Sequence, residues 1–316
     1  MSKAFHRILV TGATGFLGRH IVPVLQEKTS AEIVPVGRAD FDLLSPEEPG
    51  RMLRDVKPDA VLHLAAKVGG IIANRDYPAE FFRENILINT NTLHACFEAG
   101  IDKFVTFIGG CSYPGTAASP ISEDQMWDGI PQGESAPYSV AKKMMLIQSD
   151  AYRAQYGFDS LVLIPGNVYG EYDNFNEGYS HVIPALIRRF IEAKESGAPE
   201  IACYGSGLPT RDFVYAGDVA TLVPWFLESY DGHDPVNISS GTRTSIKKLA
   251  ELVRRETAYP GEIRWDTSKP DGQIDKIFDV KRLHALGLSC DTSLEDGVRR
   301  TVEWFTEALA QEQVRL

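Results

Sequence analysis

Over the first 170 residues, apolar and polar positions follow two alternating rhythms. Short apolar, partly β-branched runs recur at 7–11, 32–36, 59–64, 103–108 and 160–164, each of strand length and bounded by turn formers. Between them lie longer segments with helical spacing. One spans 79–99, with Gly100 as its C-terminal stop, and another spans 138–156, with Gly157 in the same role. A helix also opens after the first strand, and Pro23 within it predicts a kink or an early end. Alternation of this kind specifies an α/β fold with a doubly wound parallel sheet of the Rossmann type.

From position 171 the texture changes. Residues 172–180 are polar and loop-like, 181–193 read as an amphipathic helix carrying Arg188 and Arg189, and 205–209 form a turn. Ser245 predicts an N-cap for a helix over 246–256, with Leu249, Leu252 and Val253 on one face. Thr292-x-x-Glu295 resembles a capping box before a last helix that carries Trp304 and Phe305. These pieces are too short for a second sheet of any size. The expectation is a nucleotide-binding domain over 1–170, to which segments near 212–240 return, and a smaller, mainly helical C-terminal lobe over 171–316 that traps a substrate above the strand ends.

Composition narrows the function classes. With 316 residues, 43% hydrophobic and 24% charged, the chain can bury one large core or two smaller ones. No apolar run approaches the roughly 18 residues of a membrane span, and residues 1–6 lack the apolar stretch of a signal peptide. Cys96, Cys111, Cys203 and Cys290 have no metal-ligand spacing and suit reduced thiols in the cytoplasm; no metal is expected. A net charge of −11 argues against nucleic acid or an anionic membrane as partner, though not against a local basic pocket.

Candidate chemistry begins at Gly12-x-x-Gly15-x-x-Gly18, directly after the first strand. Glycines there let the backbone turn tightly and bring a pyrophosphate to a helix N-terminus. The second strand ends in Gly37-Arg38 with no acid for a ribose 2′-hydroxyl, and Arg38 can instead pair with a 2′-phosphate; this favours NADP over NAD. His63, inside an apolar strand, reads as a core histidine. Small residues at 65–70 permit close approach of a ligand at a strand end. Tyr138 and Lys142 sit four apart, on one face of a helix, and an ammonium beside the phenol would lower the tyrosine pKa toward neutrality.

Gly12-x-x-Gly15-x-x-Gly18, Tyr138-x-x-x-Lys142 and Arg211-Asp212-Phe213-Val214-x-x-x-Asp218 stand in the order found in the extended short-chain dehydrogenase/reductases, and the chain resembles that family nearly end to end. Residues 65–71, Cys111-Ser112-Tyr113-Pro114, 167–170 with 173–175, 180–190 and 268–272 are similar to its branch that epimerises and reduces GDP-4-keto-6-deoxy sugars. The resemblance implies Tyr138 as proton donor, Lys142 as its support and a ribose ligand, and Cys111 and His181 as the base and acid of epimerisation. It implies that Gly12, Thr14, Gly15, Phe16, Leu17, Gly18, Arg38, Ala65, Ala66, Lys142 and His181 hold NADP(H), that Asn167, Arg189, Arg211 and Lys269 hold the nucleotide sugar, and that the chain forms a homodimer. Two positions depart from the family pattern. Gly109 stands where a Ser or Thr would donate to the C4 oxygen, and Asp275 replaces a basic residue, which weakens the case for an unmodified GDP-mannose-type substrate. A redox-neutral sugar 4-epimerase with tightly held NAD(P), or a cofactor-binding homologue with weak catalysis, remain the alternatives.

Overall fold

The computed structural model describes residues 3–177, 179–269 and 271–311. Its first half builds β1 (Arg7–Thr11), α1 (Phe16–Lys28), β2 (Glu32–Val36), α2 (Glu48–Val56), β3 (Ala60–His63), α3 (Ile71–Asp76), α4 (Pro78–Glu98), β4 (Lys103–Phe107), α5 (Ala136–Tyr156) and β5 (Ser160–Pro165). Helices α2 and α3 have no counterpart in the sequence reading. In α2 only Pro49, Met52 and Leu53 are buried, a stripe too short to stand out from its charged neighbours. Helix α1 runs on through Pro23 to Lys28, so the early end does not occur. An interior proline costs a helix about 3 kcal/mol. Here Pro23 is exposed, while Ile21 and Leu25 beside it are fully buried and contribute about 1.5–3 kcal/mol each.

The chain continues through β6 (Asn167–Tyr169), α6 (Val182–Glu195), β7 (Glu200–Tyr204), β8 (Thr210–Arg211), β9 (Phe213–Tyr215), α7 (Ala216–Glu228), β10 (Val236–Ile238), β11 (Thr244–Ser245), α8 (Ile246–Glu256), β12 (Glu262–Asp266), β13 (Asp275–Lys276), α9 (Lys281–Ala285) and α10 (Leu294–Ala310). Strand β10 returns to the main sheet, which is six-stranded in the order β10-β5-β4-β3-β1-β2. Every pairing in it is parallel. The order reverses at β1, so the crevice beyond the C-terminal ends of β1 and β3 is the switch point where such sheets bind ligands.

Period-two alternation divides the strand side chains between two layers. Ile8 and Val10 of β1 join Ile21, Leu25, Val219 and Phe226 of α1 and α7 on one face. Leu9 faces the other way, with Met52, Leu93, Cys96 and Met145 of α2, α4 and α5. A third core gathers Ile187, Phe190, Leu249, Val253 and Phe305 from the later helices around Phe175 of the loop before α6. Beside it, among the described residues, lie three small sheets, the parallel pairs β7–β12 and β6–β9 and the three-stranded β11-β8-β13, so short strands do pair there despite their length. Ser245 caps α8 by accepting from the Lys248 N–H at 3.1 Å. The last helix is capped by Ser293, one residue later than expected. Asp218 takes both the N–H and the hydroxyl of Thr292, at 2.8 and 2.5 Å, and so withdraws it from the cap.

Phe278, 2% exposed, wedges the end of the chain against the loop after β4. A Cβ at Gly110 would lie 2.4 Å from its Cζ, and one at Gly166 would lie 3.2 Å from its Cδ2. Gly110→Ala is expected to cost about 1–3 kcal/mol by overpacking. In a double-mutant cycle with Phe278→Leu most of that cost should vanish. Additive losses in denaturant unfolding would show that the ring is not what excludes the methyl.

Candidate active site

The glycine turn is built by close approach. Gly12 has φ +68, and a Cβ on it would lie 2.7 Å from the Ala65 N, where the ends of β1 and β3 meet. A Cβ at Gly18 would lie 2.5 Å from the Ala13 carbonyl oxygen, and the Gly15 N–H donates to the Gly12 carbonyl at 2.9 Å. Gly15 caps α1 without a side-chain acceptor, leaving the N–H groups of Phe16 and Leu17 directed at the crevice. This turn suits a dinucleotide pyrophosphate, because it is tight and opens directly into a helix whose first N–H groups have no side-chain cap. Thr14 is exposed and packs on Gly37, with Arg38 exposed one residue further on. A cleft of about 420 Å³ opens beside them between Gly18, Arg19, Asp40 and Tyr172, with the Arg19 guanidinium 5.3 Å over the Tyr172 ring. The Asp40 carboxylate is occupied by the Gly37 N–H at 2.8 Å.

Tyr138 and Lys142 project from the start of α5, with the Phe81 ring edge-on to Tyr138 at 6.1 Å. Cys111, in the single turn 110–112 after β4, lies close enough for its charge to bear on both. The phenol does not follow the expected direction: burial, with the Cys111 sulfur adding to it, pushes the Tyr138 pKa up. Burial also brings the Lys142 ammonium down to about 8, against the pull of Cys111. The result is a neutral phenol able to give a proton, beside an amine poised near neutrality. His63 is a buried structural residue. Its Nδ1 pairs with the Thr11 hydroxyl at 2.9 Å and its Nε2 with Asn89 Oδ1 at 3.3 Å. Burial, with Lys142 nearby, lowers its pKa to about 3 and keeps it neutral.

His181 caps α6, and its side chain is 61% exposed. Asp173, 3.9 Å from its Nδ1, raises its pKa and favours the imidazolium. The segment before it docks on the loop after β3, where the Gly70 N–H donates to the Tyr179 carbonyl at 3.0 Å. Nearby, Asn167 donates to the Asp212 carbonyl at 2.7 Å. Arg189 and Lys269 both lie over the exposed ring of Tyr204, at 5.9 and 6.0 Å. Of the expected 268–272 loop, Pro270 lies outside the described residues. Arg211 donates to the carbonyls of Thr210 and Gln273 at 2.7 and 2.6 Å, and burial lowers its pKa. Beside it, burial also lowers the pKa of Lys276, whose charge reaches Cys111. Asp275 is held by the Thr210 hydroxyl and by Arg243 at 2.8 Å, so its charge is balanced locally. Sequence reasoning missed Tyr204 and Lys276, which only the fold brings to residues distant in the chain, and took Asp173 as part of a family-like stretch without pairing it with His181. An aromatic just before Gly205-Ser206-Gly207 was the one available signal.

A profile described as the NAD dependent epimerase/dehydratase family matches residues 8–239. The chain belongs to that family. Over 97% of its length it is 38% identical to putative GDP-L-fucose synthase 2 of Arabidopsis thaliana, covering 94% of that protein. It is 35% identical to the GDP-L-fucose synthase of Escherichia coli, over 97% of this chain and 98% of the relative. A crystal structure of a GDP-L-fucose synthetase from Naegleria fowleri bound to NADP superposes with a TM-score of 0.91 at 28% identity, over 99% of this chain and 97% of the other.

Burial of the Lys142 ammonium costs the fold stability. Below pH 8 Lys142 is protonated in both the folded and unfolded states, and burial opposes the folded one. As pH rises from about 8 towards 10.5 the folded state releases its proton first, and that penalty disappears. Lys142→Met is therefore expected to stabilise the protein by roughly 2–3 kcal/mol at neutral pH. The gain should shrink towards pH 10 in denaturant titrations. A pH-independent gain would mean that the ammonium is not the destabilising group.

Proposed function

We propose that the protein is an NADP(H)-dependent epimerase and reductase of a GDP-4-keto-6-deoxy sugar or a related nucleotide-linked 4-keto sugar. The observation that carries this reading is the grouping of Tyr138, Lys142 and Cys111 beyond the strand ends, beside the glycine cradle. It is supported by the names of the relatives, which are GDP-L-fucose synthases, and by the NADP bound to one of them. In this reading Gly12, Thr14, Gly15, Phe16, Leu17, Gly18, Ala65 and Ala66 hold the dinucleotide. Arg38 pairs with the 2′-phosphate. When bound, the reduced nicotinamide supplies a hydride to the C4 carbonyl carbon.

The residues do the rest. A C4 ketone acidifies the hydrogens on C3 and C5. Cys111 removes such a proton, and His181, kept cationic by Asp173, returns one to the opposite face. Tyr138 hydrogen-bonds the C4 oxygen through the enolate and then gives it the proton that completes the alcohol. Lys142 orients Tyr138 and the nicotinamide ribose. Arg189, Lys269 and Tyr204 receive the nucleotide base and ribose, Arg211 and Lys276 neutralise the diphosphate, and Asn167 faces the sugar. The division of labour is a cofactor domain over 1–170 and a substrate lobe over 171–316, in a cytoplasmic homodimer joined through α4 and α5.

Purified protein supplied with GDP-4-keto-6-deoxymannose is expected to oxidise NADPH stoichiometrically, and Tyr138→Phe to lower kcat by about 10²–10⁴. Absence of NADPH oxidation with every 4-keto nucleotide sugar tried would remove the reductase assignment.

A further inference from the structure

The loop after β4 contains two neighbouring glycines that lack side chains for different reasons. At Gly110 the Phe278 ring leaves no room, since a Cβ would sit 2.4 Å from its Cζ. At Gly109 the backbone is ordinary, with φ −83 and ψ 151, which any residue adopts. A Cβ built there meets a single side-chain atom, the Cys111 Sγ at 3.0 Å, and then only the Cys111 backbone N at 3.9 Å. The thiol therefore stands in the space into which a side chain at 109 would project. The same sulfur is near enough to Tyr138 and Lys142 for its charge to act on both.

We infer that the Cys111 thiol is the second hydrogen-bond donor to the substrate's C4 oxygen, standing beside Tyr138 in the place a hydroxyl at 109 would take. This rests on the reading of the site as a 4-keto-sugar reductase. In the reduction, C4 gains the hydride of NADPH, the C4 oxygen gains the proton of Tyr138, and NADP and the tyrosinate remain. Cys111 keeps its own proton and only shares it with the oxygen as negative charge develops. To act as the base of epimerisation the same sulfur must be a thiolate. The two half-reactions thus require opposite protonation states of one atom, and a hydroxyl at 109 would free the thiol from the first task. A thiol is also the weaker donor, so the arrangement sacrifices some reduction rate.

The test compares wild type, Cys111→Ala, Gly109→Ser and the double variant Cys111→Ala/Gly109→Ser with GDP-4-keto-6-deoxymannose. Thermal melting establishes that each is folded. In the double variant the only side-chain contact of the new Cβ has been removed. Two readouts separate the roles: solvent deuterium entering C3 and C5 without NADPH reports the base, and NADPH oxidation reports the donor. Cys111→Ala should lose exchange and slow oxidation by about tenfold or more, and the double variant should regain about tenfold in oxidation while exchange stays absent. Recovery in a protein that cannot epimerise is attributable to the hydroxyl alone. The inference is overturned if the double variant oxidises NADPH no faster than Cys111→Ala, or if Cys111→Ala alone oxidises it at the wild-type rate. A wild type that neither exchanges nor oxidises overturns the functional reading, and this inference with it.

Discussion

The backbone contact between Gly12 and the start of the loop after β3 is the constraint on which the site depends. With 2.7 Å between a would-be Cβ and the Ala65 N, the ends of β1 and β3 are as close as two chains can come. That closeness makes a cradle lined by amides, and it aims residues 65–70 at the crevice. It is repeated at the far end of the loop, where a Cβ at Gly70 would meet the Tyr179 carbonyl oxygen at 2.7 Å. Two glycines thus tie the segment that presents His181 to the parallel sheet.

The electrostatics follow from the same compactness. Lys142 is 3% exposed and His63 is fully buried beside it, so one of the two must be neutral. Histidine yields, because burial and the charge of Lys142 oppose its cation more than the bond to Asn89 supports it, and its intrinsic basicity is lower. What charge remains near the phenol belongs to the amine. His181 lies across the opening, and its partner Asp173, 4% exposed, has one carboxylate oxygen with no hydrogen bond. Such an unsatisfied acceptor favours a cationic imidazole next to it.

Much of this was legible in the sequence because it is local. The run 7–11 and Gly12–Gly18 announce strand, turn and helix within a dozen residues, and Gly157 closes α5 with φ +71 as a C-terminal glycine should. What was hidden is what depends on depth or on distant partners. Spacing reveals that Lys142 neighbours Tyr138, but not that burial raises the phenol's pKa. Thr292 has the chemistry of a cap, and only the fold reveals that Asp218, far back in the chain, claims it. Tyr204 acquires meaning only once Arg189 and Lys269 are folded over it, and Gly109 only once the thiol two residues on occupies its empty side.

The Phe278 wedge carries a consequence for the order in which the molecule is made. The loop that bears Cys111 is synthesised early, yet the ring that packs against Gly110 and Gly166 arrives about 110 to 170 positions later. On a ribosome the N-terminal strands can assemble while the turn bearing Cys111 still lacks its inner wall. The packing that seats the turn bearing Cys111 is therefore complete only when Phe278 has emerged. The contacts of the glycine turn lie within the first 65 residues, so that turn needs none of the late-made chain that the loop after β4 waits for.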